Sequence, residues 1–174
     1  VITGASSGIG EQLAKRLAKE GYDLILVARR RERLTALSDK LKATHKGLWC
    51  DIFTADLMQL DECQRLSDYL EEKDVEIFIN NAGYGDCGLF EETDIAKEMG
   101  MIDVNVRAVH FLTKKLLRQM RVKDRGFILN VASSAGLIPA GPYMAAYYAS
   151  KAYVASLSRA VACELRQSHS HVYV

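Results

Sequence analysis

Tyr147 and Lys151 stand four residues apart, with Tyr148, Ala149 and Ser150 between them. On a helix that spacing puts both side chains on one face, pointing into one cleft. A phenol ordinarily titrates near 10, too high for efficient proton exchange at neutral pH. A neighbouring ammonium favours the phenolate, so a Tyr–Lys pair can serve as acid and base at an oxygen that gains or loses a proton. A serine hydroxyl can hold that oxygen as charge develops on it. The run Asn130-Val131-Ala132-Ser133-Ser134-Ala135-Gly136 offers Ser133 and Ser134 for this. The chain contains a second such pair, Tyr69 and Lys73, but no serine-bearing strand end precedes it, and it reads as a solvated helix end. Tyr148 is turned about 100° from Tyr147 on a helix and reads as a packing residue.

A second set of residues suits a ligand carrying a pyrophosphate. In Thr3-Gly4-Ala5-Ser6-Ser7-Gly8-Ile9-Gly10, Gly4 permits a tight turn, Gly8 lets a pyrophosphate approach the backbone, and Gly10 lets a helix pack close to a sheet. The helix that opens around Ile9 then offers free N–H groups and a positive dipole to the phosphates. After the next strand comes Arg29-Arg30-Arg31. In dinucleotide folds an acid at this place takes the ribose hydroxyls, whereas a guanidinium suits a 2′-phosphate through charge-assisted bidentate hydrogen bonds. Cations at a helix amino end oppose the dipole, so three in a row imply that something anionic docks there. Arg29 and Arg30 are the best candidates, with Ser6 or Ser7 adding a hydroxyl contact. Further along, Asp56 of Asp56-Leu57 can accept a hydrogen bond from an adenine amino group; Asp51 is a rival that falls mid-strand. In Asn80-Asn81-Ala82-Gly83, small residues leave room for a flat cofactor and the asparagines can fix the turn.

The pattern of elements explains how these residues could meet. Apolar runs of strand type precede Thr3 and lie in Asp23–Ala28, Leu48–Ala55, Val75–Asn80 and Gly126–Ala132. Between and after them, helical periodicity marks Ile9–Glu20 (ended by Gly21), Arg30–Ala43, Gln59–Glu72, Ala96–Arg121 and Ala146–Gln167. Such alternation predicts parallel strands joined by right-handed crossovers. The fold class is therefore α/β: a doubly wound parallel sheet, Rossmann-like, in three α/β/α layers. Ligands of such sheets bind beyond the carboxyl ends of the strands, which is where most of the candidate residues fall.

Composition narrows the partners. A length of 174 residues suits one domain, and 49% apolar with 26% charged residues is the balance of a soluble globular protein. A formal net charge of +1 gives no reason to expect a nucleic-acid or membrane partner. No apolar run approaches the roughly 18 residues of a membrane span. Cys50, Cys63, Cys87 and Cys163 form no CxxC or metal-type spacing, so reduced cysteines in a cytoplasmic protein are expected and no metal site. Val1–Gly4 reads as the tail of a strand and His171–Val174 as the start of one, so residues 1–174 are expected to be a fragment of a single NAD(P)-binding domain, truncated at the carboxyl end.

Taken in order, Thr3–Gly10, Asn80–Gly83, Asn105, Ser133/Ser134 and Tyr147-x-x-x-Lys151 resemble the classical short-chain dehydrogenase/reductase family over essentially the whole chain. The resemblance implies an oxidoreductase that moves a hydride between nicotinamide and a carbonyl/alcohol substrate. Tyr147 would be the general acid/base, and Lys151 would bind the nicotinamide ribose and favour the phenolate. Asn105 would support a water-linked proton relay from the lysine. Without the family, Asn105 is a polar residue in an apolar helix, either solvent-facing or a satisfied core amide. Counting forward from Asn130 puts the family's serine at Ser133, while counting back from Tyr147 gives Ser134. An extra residue in the Leu137–Pro142 loop reconciles them and favours Ser133, with Ser134 as a backbone-bonded turn residue. Arg29 resembles the NADP(H)-preferring members rather than the NAD(H)-preferring ones, which carry an acid. The resemblance also implies a homodimer or homotetramer paired through the two long helices. Two rivals stand beside this reading: a non-catalytic NADP(H)-binding redox sensor, which needs the glycine loop and Arg29 but not the Ser–Tyr–Lys set, and a sugar-nucleotide epimerase or dehydratase, whose Gly-x-x-Gly-x-x-Gly loop is not matched. Tyr84, Cys87, Leu137 and Tyr143 hint at a mixed substrate pocket without naming a substrate.

Overall fold

The computed structural model describes residues 1–174. Six strands, β1 Ile2–Thr3, β2 Leu24–Ala28, β3 Cys50–Thr54, β4 Ile77–Asn80, β5 Gly126–Asn130 and β6 Val172–Tyr173, form one parallel sheet in the order β3-β2-β1-β4-β5-β6. The helices are α1 Gly8–Lys19, α2 Arg31–Thr44, α3 Leu60–Glu71, α4 Ile95–Ile102, α5 Val109–Lys123 and α6 Ala145–Gln167. This is the doubly wound, Rossmann-like arrangement that the alternating pattern predicts. The order reverses between β1 and β4, and the crevice at their carboxyl ends is where ligands of such sheets lie.

The two-sided burial of the sheet accounts for the sequence of β2. All five residues of Leu24-Ile25-Leu26-Val27-Ala28 are buried. Successive side chains point to opposite faces. Ile25 and Val27 therefore join a core with Leu66 and Leu70 of α3 and Leu112 and Leu116 of α5. Leu24, Leu26 and Ala28 join the other core, with Ala14 and Ala18 of α1 and Leu34 and Leu37 of α2. Each fully buried leucine contributes roughly 1.5–3 kcal/mol relative to exposure. The alternation continues on β5: Ile128 is buried in the first core, while Phe127 and Leu129 remain about half exposed on the opposite face. There Phe127 stacks on Tyr173 of β6, with ring centroids 5.2 Å apart.

The expected single helix over Ala96–Arg121 is longer and interrupted. It starts at Ile95, because the Asp94 carboxylate accepts the Ala96 N–H at 2.8 Å and caps the helix. It ends at Lys123, where Asp124 turns into the left-handed region at φ 44°. Between α4 and α5, Asp103–Ala108 forms a π-helical turn. The buried Met101, Val104, Ala108 and Leu112 keep a three-to-four spacing through it, so the apolar period does not betray the wider turn. The fifth strand also stops at Asn130 rather than Ala132, freeing the next residues from the sheet. No helix is long and apolar enough to cross a membrane.

Candidate active site

The floor of the crevice is tied together by β1 and the segment after β4. Thr3 Oγ1 accepts the N–H groups of Asn81 at 2.9 Å and Ala82 at 3.0 Å, and Asn81 Nδ2 donates to the Thr3 carbonyl at 2.9 Å. Gly4, at φ 67°, turns the chain under this pair, and a Cβ there would stand 2.8 Å from Asn81 Nδ2. Gly10 does not line the crevice. It lets α1 pack on the turn, since a Cβ would come within 2.5 Å of the Gly4 carbonyl oxygen. Below the floor, Asn80 donates to Thr113 Oγ1 at 3.1 Å and Asn130 Oδ1 at 2.8 Å, and Asn130 donates to Ser158 Oγ at 2.9 Å. This buried chain locks β4, β5, α5 and α6 in register.

At one end of the crevice the structure gathers an anion site. Ser7 precedes α1 in extended conformation, yet its hydroxyl makes no capping bond to the helix. Instead Arg30 Nη2 donates to Ser6 Oγ at 2.9 Å and Ser7 Oγ at 2.8 Å. The first N–H groups of α1 thus keep their capacity for a phosphate. Neither Arg29 nor Arg30 forms a salt bridge. Arg29 sits apart, its side chain donating to Met58 Sδ at 3.9 Å. Gly8, at φ 58°, and the exposed Ile9 line the same crevice. Asp56 lies at its edge, its Oδ1 accepting the Met58 N–H at 3.2 Å, with Leu57 beside it mostly committed to the core. Asp51 belongs elsewhere. It accepts the Tyr69 hydroxyl, which holds its carboxyl below the ordinary value.

The other end holds the Tyr–Lys pair in one cavity of about 460 Å³, whose lining also includes Asn81, Ala82 and Gly83. That volume is in the range of small-molecule sites. Lys151 is 6% exposed and donates to the Val131 carbonyl at 2.9 Å. Burial holds its ammonium below the ordinary lysine value. Its Nζ lies 5.9 Å from the centroid of the Tyr147 ring, and Gly85 leaves room for that ring: a Cβ there would stand 3.1 Å from it. Asn105 sits in the π-turn, fully buried. Its Oδ1 accepts the Tyr84 N–H at 3.1 Å, and its Nδ2 donates to the Tyr84 carbonyl at 2.8 Å and Ser150 Oγ at 3.2 Å. It is the satisfied core amide of the two possibilities. A Cβ on Gly83 would stand 2.6 Å from Asn105 Oδ1 and 3.7 Å from Lys151 Nζ, so Gly83 separates the amide from the ammonium.

Ser133 follows β5, and its Oγ accepts the Ala135 N–H at 3.2 Å at the head of a short 3₁₀ turn, Ser134–Gly136. The backbone-bonded serine is therefore Ser133, whereas Ser134 was expected in that part. The reason is the early end of β5: Ser133 keeps extended geometry, φ −163° and ψ 160°, and caps the turn that Ser134 begins. Accepting leaves the Ser133 hydroxyl hydrogen free to donate. Beyond this turn the chain passes through Tyr143 at φ 68°, whose carbonyl accepts the Gly88 N–H at 2.8 Å. Tyr69 is no acid/base candidate, since burial and the adjoining Asp51 push its phenol up to about 12. Met58, Tyr84 and Val104 also line the cavity, and no spacing rule marks them; Met58 and Tyr84 adjoin the cofactor candidates Leu57 and Gly83, and Val104 adjoins Asn105. The structure gathers no set of three His, Cys, Asp or Glu side chains that could hold a metal ion.

The family model of short chain dehydrogenases matches residues 1–174. The very-long-chain 3-oxoacyl-CoA reductase of Neurospora crassa is 32% identical over 178 residues, covering 100% of this chain and 53% of that protein. The 7beta-hydroxysteroid dehydrogenase of Mediterraneibacter gnavus is 31% identical over 100% of this chain and 65% of its own length. The chain thus spans about half to two thirds of these curated relatives. Among solved structures, the bulky-bulky ketone specific alcohol dehydrogenase from Comamonas testosteroni superposes with a TM-score of 0.92 at 33% identity, over 99% of this chain and 68% of that one. The short-chain dehydrogenase from Sphingobium yanoikuyae in complex with NADPH gives 0.92 at 35% identity, over 99% of this chain and 66% of that one. A glycine turn, a serine after the fifth strand and a Tyr–Lys pair, in this order on this sheet and across a full-length family match, mean that the chain belongs to the short-chain dehydrogenase family.

Proposed function

We propose that this chain carries the cofactor-binding and catalytic core of an NADP(H)-dependent oxidoreductase acting on a carbonyl/alcohol pair. The observation that carries the reading is that one cavity joins two guanidiniums without a salt bridge, Arg29 and Arg30, and the hydroxyls of Ser6 and Ser7 to Tyr147 and Lys151. The first cluster suits a 2′-phosphate, and the uncapped start of α1 suits the pyrophosphate. Gly4, Gly8 and Ile9 would pass beneath the phosphates, Asp56 and Leu57 beside the adenine, and Asn81, Ala82 and Gly83 beside the nicotinamide half. When bound, the cofactor supplies or accepts the hydride at the nicotinamide ring.

The protein's part is orientation and proton handling. Tyr147 gives its phenolic proton to the substrate oxygen in reduction and takes it back in oxidation. Lys151, anchored on the Val131 carbonyl with its ammonium beside the Tyr147 ring, binds the nicotinamide ribose. Ser133, free to donate, holds the substrate oxygen. Asn105 supports the path by which a proton reaches Lys151. The relatives' own names, a 3-oxoacyl-CoA reductase, a hydroxysteroid dehydrogenase and a ketone-specific alcohol dehydrogenase, fit a carbonyl/alcohol substrate here. We further propose a homodimer or homotetramer paired through the long helix that runs from α4 through the π-turn to α5 and through α6, which sedimentation of the full chain tests.

The test is titration of the full chain with NADPH and NADH, followed by carbonyl turnover in the wild type and in Tyr147→Phe. The expected result is at least tenfold tighter NADPH binding, and turnover that Tyr147→Phe abolishes while binding is retained. NADPH binding without turnover in the wild type would favour the redox-sensor reading instead, and undiminished turnover in Tyr147→Phe would remove Tyr147 from its role.

A further inference from the structure

Ser150 lies between the two halves of the Tyr–Lys pair and is given no role by the chemistry above. Its side chain is 3% exposed. Its hydroxyl donates to the Tyr147 carbonyl at 2.8 Å and accepts from Asn105 Nδ2 at 3.2 Å. A serine hydroxyl has one hydrogen, and the carbonyl takes it, so toward Asn105 the oxygen can only accept. A primary amide has two N–H donors. One reaches the Tyr84 carbonyl at 2.8 Å, and the other has Ser150 as its sole partner. This is the only hydrogen bond that joins α6 to the π-turn.

We propose that Ser150 is a positioning residue for the reaction, holding the Asn105 carboxamide and the π-turn at a fixed distance from Tyr147 and Lys151. The proposal rests on the catalytic reading of Asn105, Tyr147 and Lys151. The π-turn explains why such a tie is needed. Its wider ring of backbone lets Asn105 face inward, but it is a less regular stretch of helix than α4 or α5 on either side. One oxygen bonded to both the carbonyl of residue 147 and the amide of residue 105 sets the separation of the two elements. Without it, one buried N–H of Asn105 loses its partner, and the amide must turn to recover one. A serine that only satisfied its own helix, three residues back, would leave Asn105 undisturbed when removed.

The full chain is compared with Ser150→Ala, Ser150→Thr, Asn105→Ala and the Ser150→Ala/Asn105→Ala double variant. Loss of one such hydrogen bond lowers kcat by roughly tenfold in Ser150→Ala, with the NADPH dissociation constant changed less than about twofold. Ser150→Thr keeps the oxygen and restores kcat to within about threefold of wild type. In the Asn105→Ala background, Ser150→Ala costs less than about twofold more, because its route of action is already gone. A separate readout needs no turnover: in Ser150→Ala the side-chain amide protons of Asn105, followed by nuclear magnetic resonance, lose their protection from exchange. Unchanged kcat with unchanged amide protons, or a full tenfold loss that persists in the Asn105→Ala background, overturns the proposal. A wild-type chain that turns over no carbonyl sinks the functional reading instead, and the amide protons then decide alone whether Ser150 holds Asn105.

Discussion

On the proposed NADP(H) reading, removing the Arg30 guanidinium converts a strong preference for NADPH into a weak one. Arg30 Nη2 stands 2.9 Å and 2.8 Å from Ser6 Oγ and Ser7 Oγ, so a phosphate seated on these hydroxyls would meet the cation at contact distance. Two estimates of its worth agree. A charge-assisted hydrogen bond contributes about 1.5–3 kcal/mol, and the lower half of that range applies at an exposed site. A unit charge about 4 Å from a phosphate of roughly −1.5 to −2, screened as strongly as in bulk water, gives about 1.5–2 kcal/mol. At about 1.4 kcal/mol per factor of ten, Arg30→Ala raises the NADPH dissociation constant roughly 12- to 30-fold. NADH lacks the phosphate, and its constant moves less than about twofold. The assay is fluorescence titration of wild type, Arg30→Ala and an Arg31→Ala control, since Arg31 does not line the cavity. Raising the salt should shrink the penalty, because the partners are exposed. Equal losses for the two cofactors, or no loss for NADPH, would refute the 2′-phosphate reading and return the cluster to a solvated helix start.

Other outcomes follow from the same geometry. Tyr147→Phe lowers kcat by about 10²-fold or more, as loss of a general acid does, while leaving NADPH affinity within about twofold. Gly83→Ala places a methyl group 2.6 Å from Asn105 Oδ1, and overpacking of this kind costs about 1–3 kcal/mol in denaturant unfolding. Burial depresses Lys151 below 10.5, so the unfolded chain binds the proton more tightly, and stability from this group rises with pH up to the unfolded value. Lys151→Met therefore raises the melting temperature near neutral pH, by a margin that narrows as the pH climbs toward 10.5. Asp124 accepts from His171 Nδ1 at 2.7 Å, from Ser170 Oγ at 2.8 Å and from the His171 N–H at 3.1 Å, and these partners bring its carboxyl down to about 2. Its contribution is present above the ordinary value of 3.8 and lost as the pH falls through about 2, so Asp124→Asn lowers the melting temperature at neutral pH and has no effect in strong acid.

Much of this protein was legible because local rules wrote it. A strand buried on both faces must be apolar throughout, and Leu24–Ala28 is. A turn at φ 67° asks for glycine, and Gly4 supplies it. Two side chains four apart on a helix share a face, so Tyr147 and Lys151 could be assigned to one cleft from spacing alone. The doubly wound order follows from alternation and from the handedness of crossovers. Most of the residues lining the crevice could then be read as whatever follows each strand.

What the sequence alone could not decide were pairings between residues far apart in the chain. Thr3 and Asn81 meet across 78 positions, and Asn105 and Ser150 across 45. Arg30 rather than Arg29 turns to the serines, because the direction of a side chain at a helix start depends on backbone angles that three consecutive arginines do not reveal. The same holds for Ser133 over Ser134 as the turn cap, which was settled by where β5 leaves the sheet. The π-turn leaves no mark on the apolar spacing, since the buried Met101, Val104, Ala108, Leu112 and Leu116 keep the three-to-four interval straight through it. Composition and period report which face of an element is apolar. The partner of a buried polar atom is chosen only when the packed elements come within hydrogen-bond reach, and in this protein those choices shape the candidate site.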